Sequence, residues 1–361
     1  VIVVGAGPAG SSTARYAAAA GLRTLLLDRR EEIGYPVQCG EYLPTLEEME
    51  RLVPLARRQE ELFTLPEDDV VALRTHVIEV ISPKGRVYPV PFEGYTLQRR
   101  AFDKWVAQRA VDEGAELWTE TYAWRLRQGK LLTSEGELSA KVYVGADGPF
   151  SRIARSAGLP RPAATYPAVT FQARGDLGEK VLMYFGDVAP GGYAWVIPKR
   201  GGANVGLGIQ RELDPTAPSK LLLRWLDKTP WKDRYDPESL TMGNVPMSGP
   251  VARTVKGNVL TVGDAAGHVM ATNGGGIPIA LLCGREAGRA VAAHLLEGRP
   301  LEAYEEAWRS IVGRLLAEGV KIKRLADRFW KHPWWLEQAM RLLGRRGANR
   351  AIRCQPLFFG S

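Results

Sequence analysis

The sequence predicts an α/β fold: a discontinuous parallel-sheet nucleotide domain, an antiparallel β-sheet domain inserted into it, and a helical C-terminal segment. Three observations predict it. The chain opens with Val1-Ile2-Val3-Val4, passes without a gap into Gly5-x-Gly7-x-x-Gly10, and continues as a small-residue helix from Ser11 to Ala20. Between Ala168 and Gln210 the residues follow a strand pattern. Gly257 to Val262 then returns as a buried strand, followed by Gly263-Asp264 and a loop rich in glycine that opens a second helix. Strand, tight glycine turn and helix in this order are the Rossmann-type dinucleotide fingerprint in its required context.

Each position in the first turn has a task. Gly5 allows the turn, Gly7 lets the backbone approach a pyrophosphate, and Gly10 lets the helix sit close on the strand; Ala9 lies among them. The helix N-terminus supplies free N–H groups and partial positive charge for that anion. Leu22 to Leu27 reads as a second strand ending in Asp28, an acid placed to take ribose hydroxyls. Arg29, next to it, is placed to cover an adenine. Gly34 and Pro44 bound a shaped loop, Tyr35 to Glu41, that carries Cys39 and Gly40 close to the cofactor strand.

Residues 45 to 62 carry many charges and read as a helical excursion. Val70 to Ser82 is a long β-rich run, turned by Pro83-Lys84-Gly85 into a hairpin partner, Arg86 to Val90. A helix from Arg100 to Glu113 shows an apolar stripe of Phe102, Val106 and Ala110. Two or three short strands cover 115 to 145 and end at Gly145-Ala146-Asp147-Gly148, and Leu159 to Pro162 is a linker. Strands follow at Val169 to Ala173, Val181 to Phe185, Tyr193 to Ile197 and Ala203 to Ile209. A short helix, Pro218 to Asp227, and a strand near Leu240 to Val245 close this block. The last long helix of the nucleotide grammar starts at Ile277 and reaches about Leu296.

The chain has 361 residues, 45% hydrophobic and 24% charged, as a globular protein with two subdomains would. It contains no uncharged apolar run long enough for a membrane-spanning helix. It opens inside a strand without an initiator Met, which implies preceding residues, and no signal peptide can be read. A net charge of +8 suits an anionic ligand or an acidic membrane surface, or simply an Arg-rich exterior. No nucleic-acid module is legible, so nucleic acid is not an expected partner. Cys39, Cys283 and Cys354 are far apart and form no CxxC pair, so neither an iron–sulfur cluster nor a Cys-rich zinc site is expected, and a reducing cytoplasm is implied.

Gly263-Asp264 at a strand end is a second cofactor signal. Asp264 can accept a hydrogen bond from a sugar-alcohol hydroxyl, or cap the following helix. Gly274-Gly275-Gly276 and the helix start at Ile277 would aim a helix N-terminus at a flavin ring and stabilise negative charge on its reduced form. A nicotinamide enzyme needs no such second anchor; an extended FAD does.

Gly5 to Gly10, Gly145-Ala146-Asp147-Gly148-x-x-Ser151 and Gly263-Asp264-Ala265-Ala266-Gly267 resemble, in order, the three landmarks of FAD enzymes similar to para-hydroxybenzoate hydroxylase. Within that superfamily the chain resembles the geranylgeranyl reductase family. Pro36-x-x-Cys39-Gly40 matches its cysteine loop, and Tyr193-x-Trp195-x-Ile197-Pro198 with Gly206-x-Gly208 matches its substrate-side motif. Ile197 stands where Phe is usual, and Ala271 where Pro is usual ahead of the glycine loop.

The resemblance implies FAD as cofactor and saturation of isolated double bonds in polyprenyl chains, with hydride from flavin N5 and a separate proton. It implies a polyprenyl lipid or diphosphate substrate and an external electron donor, NAD(P)H or ferredoxin. The division it implies is an FAD-binding domain of residues 1–66, 95–158 and 250–297, a substrate domain of 67–94 and 159–249, and a helical segment, 298–361. Tyr193 and Trp195 would wall the substrate channel. Cys39 would lie near the flavin as proton donor, redox participant or steric gate. Arg99, in an Arg-x-x-Phe-Asp pattern, would lie near the FAD pyrophosphate. Asp147 would fix its own turn or meet a pyrophosphate-side Arg; His268 could relay a proton, but a lone His more often serves as a structural hydrogen-bonder, and it is given no role. A monooxygenase or halogenase of the same fold is the alternative; a flavoprotein that only carries electrons is a third reading.

The C-terminal segment places Tyr304, Trp308, Ile311, Leu315, Ile322, Leu325 and Phe329 near one helical stripe, against Arg309, Arg314, Lys321, Lys323, Arg324 and Arg328. Phe329-Trp330-Lys331-His332-Pro333-Trp334-Trp335 follows. Cationic, Trp-rich amphipathic sequence suits either a bilayer interface or a helix docked on the body. With a lipid substrate, the expectation is transient contact with the inner face of the cell membrane.

Overall fold

A computed structural model describes residues 1–330 and 332–358, so Lys331 of the aromatic run lies outside the described residues. A six-stranded sheet has the order Val255–Lys256, Val259–Thr261, Tyr143–Gly145, Ile2–Val4, Leu25–Leu27, Glu116–Trp118. Its pairs are parallel except at the Val255–Lys256 edge. Ile2 pairs with both Leu25 and Tyr143, and Tyr143 pairs with Val259, so three distant stretches of chain lie side by side. Val3, Val144 and Leu260 are fully buried, as strands covered on both faces require.

The first strand stops at Val4 because Gly5 turns the chain with φ +103°. A Cβ on Gly10 would sit 1.8 Å from the Gly5 carbonyl oxygen, so the helix Pro8–Ala19 can approach its strand this closely only through glycine. The same helix packs against Ile277–Glu297. There a Cβ on Gly284 would meet the Ala9 carbonyl at 2.5 Å and Ser12 Cβ at 2.8 Å, and one on Gly288 would meet the Thr13 carbonyl at 2.6 Å.

The eight-stranded sheet runs Thr241–Pro246, Thr165–Arg174, Gly202–Gly208, Tyr193–Lys199, Val181–Tyr184, Val71–Ile81, Val87–Leu97, Tyr42–Pro44. It is antiparallel apart from one parallel pair, Val181–Tyr184 with Val71–Ile81. One face of its central strands buries Val169, Phe171, Ala194, Val196, Val205 and Leu207 with Leu222 and Leu226 of the helix Pro218–Leu226. Residues of opposite parity face the other way, and that face matters below. Ala123–Arg127, Lys130–Thr133 and Gly136–Ser139 form a separate three-stranded sheet.

Several element boundaries differ from the sequence reading. The second strand holds only Leu25–Leu27, because Thr24 turns its hydroxyl onto the Leu22 carbonyl. The excursion after Pro44 is two short helices, Leu46–Leu52 and Glu60–Phe63, and the hairpin return extends to Leu97. The span 115–145 holds five strands rather than two or three. The C-terminal stripe is also re-phased. Between Ala303–Trp308 and Arg314–Asp327 lies one stretch of π-helix, Arg309–Gly313. Its wider turn moves burial onto Val312 and Leu316, while Ile311 and Leu315 are only half-buried. Tyr304 and Trp308 are buried in the body, so this part of the segment is docked. The final helix, Pro333–Ile352, breaks at Gly344 (φ 56°, ψ −157°).

Replacing Gly284 by Val should force the two long helices apart. Thermal or denaturant unfolding should show a loss of about 1–3 kcal/mol, the usual cost of overpacking a close contact. An unchanged midpoint would mean that the helices do not approach through Gly284.

Candidate functional site

A cavity of about 1460 Å³ is lined by residues from the strand ends of the six-stranded sheet and the inner face of the eight-stranded sheet. That exceeds the roughly 300–1,000 Å³ usual for a small-ligand pocket. Gly5, Gly7, Ala9, Asp28, Arg29, Cys39, Gly40, Arg99, Tyr193, Trp195, Asp264, Gly275, Gly276 and Ile277 all line it. Gly10 does not; it lies behind the turn and serves the strand–helix approach.

The polar half has the features an FAD would need. Apart from its immediate surroundings in the chain, none of the described residues has an atom within 4 Å of where a Gly7 Cβ would be, which leaves open space at the turn. Asp28 accepts from the Ala6 amide at 2.8 Å, and its two oxygens take Arg30 Nε and Nη2 at 3.0 Å each. Burial alone would raise this carboxyl, but Arg30 holds it below its ordinary value. The partner of Asp28 is therefore Arg30, while the Arg29 side chain is exposed at the cavity edge. Arg99 forks onto Asp103 through Nε (3.0 Å) and Nη2 (2.8 Å), which leaves Nη1 outside that pair. Asp264 accepts no side-chain hydrogen bond from the described residues. Burial raises its pKa to about 6, with the positive charge of Arg99 pulling the other way. An unpartnered carboxylate on the wall is what a polyol hydroxyl would satisfy. The residues fit the cofactor.

Asp147 accepts from Ser151 Oγ at 2.5 Å and from the Arg152 amide at 2.7 Å, so it fixes its own turn. His268 is fully buried, packs on Trp308 at 4.7 Å between ring centroids, and makes no hydrogen bond through either ring nitrogen among the described residues. The expectation of a structural hydrogen-bonder fails there. Burial lowers its pKa to about 3, so the ring packs as a neutral aromatic.

The apolar half follows from strand alternation. Tyr193, Trp195 and Ile197 share the cavity face, while Ala194 and Val196 point into the opposite core. Across the register Trp195 faces Gly206, where a Cβ would sit 2.5 Å from the indole, so the glycine makes room for the ring. Phe185, Tyr193 and Trp195 form a chain of rings with centroids 5.7 and 5.8 Å apart, and Trp330 adds to Phe185 at 6.0 Å. Ile78, Val80, Val181 and Met183 extend the wall. Leu325 and Phe329, then Leu336, Met340 and Leu343 of the last helix, contribute to the same lining. The last helix is fastened by Arg353, whose Nε binds Glu48 at 2.7 Å, and by Asn273 Nδ2, which donates to the Ile352 carbonyl at 2.9 Å.

Cys39 lines the cavity half-buried, and its sulfur accepts from the Glu41 amide at 3.1 Å. Burial pushes its thiol pKa up, against the pull of Arg99. Burial also raises the Tyr193 phenol, whose hydroxyl donates to the Asn273 carbonyl. Sequence reasoning missed Arg30, Glu41, Phe185, Lys199, Asn204 and Asn273. One available signal was a polar residue inside an apolar strand, as Asn204 is between Ala203 and Val205.

A family model described as the geranylgeranyl reductase catalytic domain matches residues 167–244, and one for FAD dependent oxidoreductases matches residues 1–40. The chain is 36% identical to digeranylgeranylglycerophospholipid reductase 2 of Methanopyrus kandleri, over 90% of this chain and 86% of that protein. It is 33% identical to the digeranylgeranylglycerophospholipid reductase of Methanocaldococcus jannaschii, over 91% and 86% of the two chains. The solved structure of a geranylgeranyl bacteriochlorophyll reductase-like protein from Thermoplasma acidophilum superposes with a TM-score of 0.80 at 25% identity, covering 94% of each chain. A flavin-dependent brominase superposes at 0.71 with 18% identity over 98% of this chain and 92% of that one, a likeness of fold alone.

Asp264 gives the site a pH signature. With its pKa raised to about 6, the free protein keeps that proton at mildly acid pH. A hydroxyl that donates to the carboxylate favours the ionised form, so binding releases the proton. FAD affinity should therefore strengthen as pH rises from about 5 to 7, and Asp264→Asn should flatten this dependence and weaken binding about tenfold or more. Flavin-fluorescence titrations check it; parallel pH curves for both proteins would contradict it.

Proposed function

The chain belongs to the digeranylgeranylglycerophospholipid reductase family, and from that membership we propose that it saturates isolated double bonds in the geranylgeranyl chains of a glycerophospholipid. It is an FAD-dependent oxidoreductase. The observation that carries the proposal is a single cavity whose dinucleotide-type half is continuous with an aromatic-walled apolar half.

When bound and reduced, FAD supplies the hydride for one alkene carbon. An isolated alkene has no carbonyl to take up charge, so the surrounding residues must exclude water and align the chain. In this reading Phe185, Tyr193 and Trp195 hold the polyprenyl chain by apolar contact, and Leu336, Met340 and Leu343 close over it. The Cys39 thiol, kept protonated by burial, holds a proton at Sγ on the cavity wall. Tyr193 Oη is committed to the Asn273 carbonyl and orients its ring.

The last helix suggests how a lipid arrives. Leu336, Met340 and Leu343 line the cavity, while Trp334 and Trp335 are 53% exposed and Leu342 is 86% exposed. Arg341, Arg345 and Arg346 are exposed on the same helix. Exposed Trp beside Arg favours an anionic bilayer interface, so this helix is the proposed point of transient membrane contact. No helix among the described residues is long and apolar enough to cross a membrane.

One experiment tests both parts. Photoreduced protein is mixed anaerobically with digeranylgeranylglycerophospholipid, either in anionic vesicles or in detergent. The oxidised flavin band should return without oxygen, and the lipid should gain a hydrogen pair per saturated bond. A Trp334→Ser/Trp335→Ser variant should be slowed with vesicles and not with detergent. Reoxidation only on admitting oxygen would favour a monooxygenase or halogenase, and equal slowing in both media would remove the membrane role.

A further inference from the structure

Beneath the Cys39 thiol lies a buried polar cluster for which the chemistry proposed above gives no reason. Its hub is Glu41, 1% exposed and held at φ +64°, a left-handed backbone that costs energy for any residue with a side chain. Its Oε2 takes three donors from three neighbouring strands: Lys199 Nζ at 2.6 Å, Asn204 Nδ2 at 2.7 Å and Gln172 Nε2 at 2.9 Å. Asn204 is fully buried and reaches both walls of interest. Its Nδ2 also donates to the Cys39 carbonyl at 2.9 Å, and its Oδ1 accepts from Trp195 Nε1 at 2.7 Å. The Glu41 amide donates to the Cys39 sulfur, and Gly40 packs so closely that a Cβ there would lie 3.1 Å from Ile197 and 3.8 Å from Trp195.

The parity of the strands explains why the cluster can exist. Lys199 continues the Tyr193, Trp195, Ile197 face, and Asn204 and Gln172 occupy the same face of the adjoining strands. Polar residues thus interrupt a face that otherwise reads as apolar wall. A buried ion pair contributes little net stability against well-packed apolar residues, so stability alone is a poor reason for this arrangement. It does define geometry: Asn204, Gln172 and Lys199 all converge on one carboxylate oxygen.

We propose that Glu41 is a positioning residue that, through Asn204, fixes the Cys39 loop and the Trp195 indole relative to each other on the cavity wall. The catalytic consequence rests on the reductase reading above, whereas the geometric one does not. Without Glu41, Asn204 loses its charged acceptor and keeps only the Cys39 carbonyl for Nδ2, the Cys39 loop loses its carboxylate anchor to the sheet, and Lys199 loses its counter-charge, with Gln172 Oε1 at 3.1 Å as its remaining partner.

The test uses FAD-loaded protein and two readouts, turnover and the rate at which iodoacetamide alkylates Cys39, followed by mass spectrometry. Cys283 and Cys354 are 1% and 3% exposed and serve as internal references. Glu41→Ala should speed Cys39 alkylation severalfold and lower kcat roughly 10- to 100-fold with KM little changed, the scale expected when reacting groups are misplaced by about 1 Å. Glu41→Gln keeps an acceptor for Asn204 and Gln172 and should recover most of both, even though it melts lower. Glu305→Gln, which loosens a remote carboxylate bound to the Thr254 and Val255 amides, controls for stability alone. Should Glu41→Ala fail to fold, Asn204→Ala cuts the same link and carries the same expectation. Alkylation and kcat that follow melting temperature alone, as in the Glu305 control, would overturn the proposal; so would a Gln variant as impaired as the Ala variant. Altered alkylation in a protein that reduces no polyprenyl lipid would keep the geometric role and reject the reductase reading instead.

Discussion

Three short parallel strands carry the architecture. Ile2–Val4, Tyr143–Gly145 and Val259–Thr261 come from separate parts of the chain and pair in one sheet. Parallel pairing makes all three strands end on the same edge, so the glycine turn, the Asp147 turn and Asp264 stand on one crest. The helices that follow the first and last of these strands must then pack tightly enough to keep the crest in register. Glycines at Gly10, Gly284 and Gly288 permit it. An elongated ligand with a pyrophosphate between its adenosine and its polyol can be gripped along its length only if these pieces hold their spacing.

The second constraint is chemical separation within one space. The crest side offers backbone amides, Arg99 and the carboxylate of Asp264; the sheet side offers rings and aliphatic side chains. Taking a carboxylate out of water disfavours its charge, so buried Asp264 is raised, whereas the adjacent Arg30 outweighs burial and lowers Asp28. The polar cluster around Glu41 is the exception on the apolar side, and its full hydrogen bonding is what makes its burial tolerable.

Much of this was legible before any coordinates. The turn residues announced themselves because only glycine serves positions such as Gly5; alternation put Tyr193 and Trp195 on one face, but only the family resemblance set that face toward a channel rather than a core. Other features depended on contacts distant in sequence. One contact is local yet still unreadable: Arg30 rather than Arg29 meets Asp28 because of how the chain bends after the strand. Glu41 reads as one more loop carboxylate until Lys199 and Asn204 are brought to it from more than 150 residues away. The π-helix at Arg309–Gly313 leaves no compositional mark, so the periodicity of the C-terminal stripe was right in kind and displaced in phase. His268 carried the opposite lesson: a buried imidazole was expected to find a partner, and packing on Trp308 took its place.

The central claim is that cofactor and lipid chain occupy one continuous cavity, with the chain against the flavin. An absorption difference spectrum tests it most directly. Oxidised, FAD-loaded protein is titrated with digeranylgeranylglycerophospholipid, and lipid occupancy is followed separately by co-elution in gel filtration. A shared cavity predicts a saturable perturbation of the flavin bands that tracks occupancy. Bound lipid with flavin bands that do not move would place the two in separate sites and contradict the account.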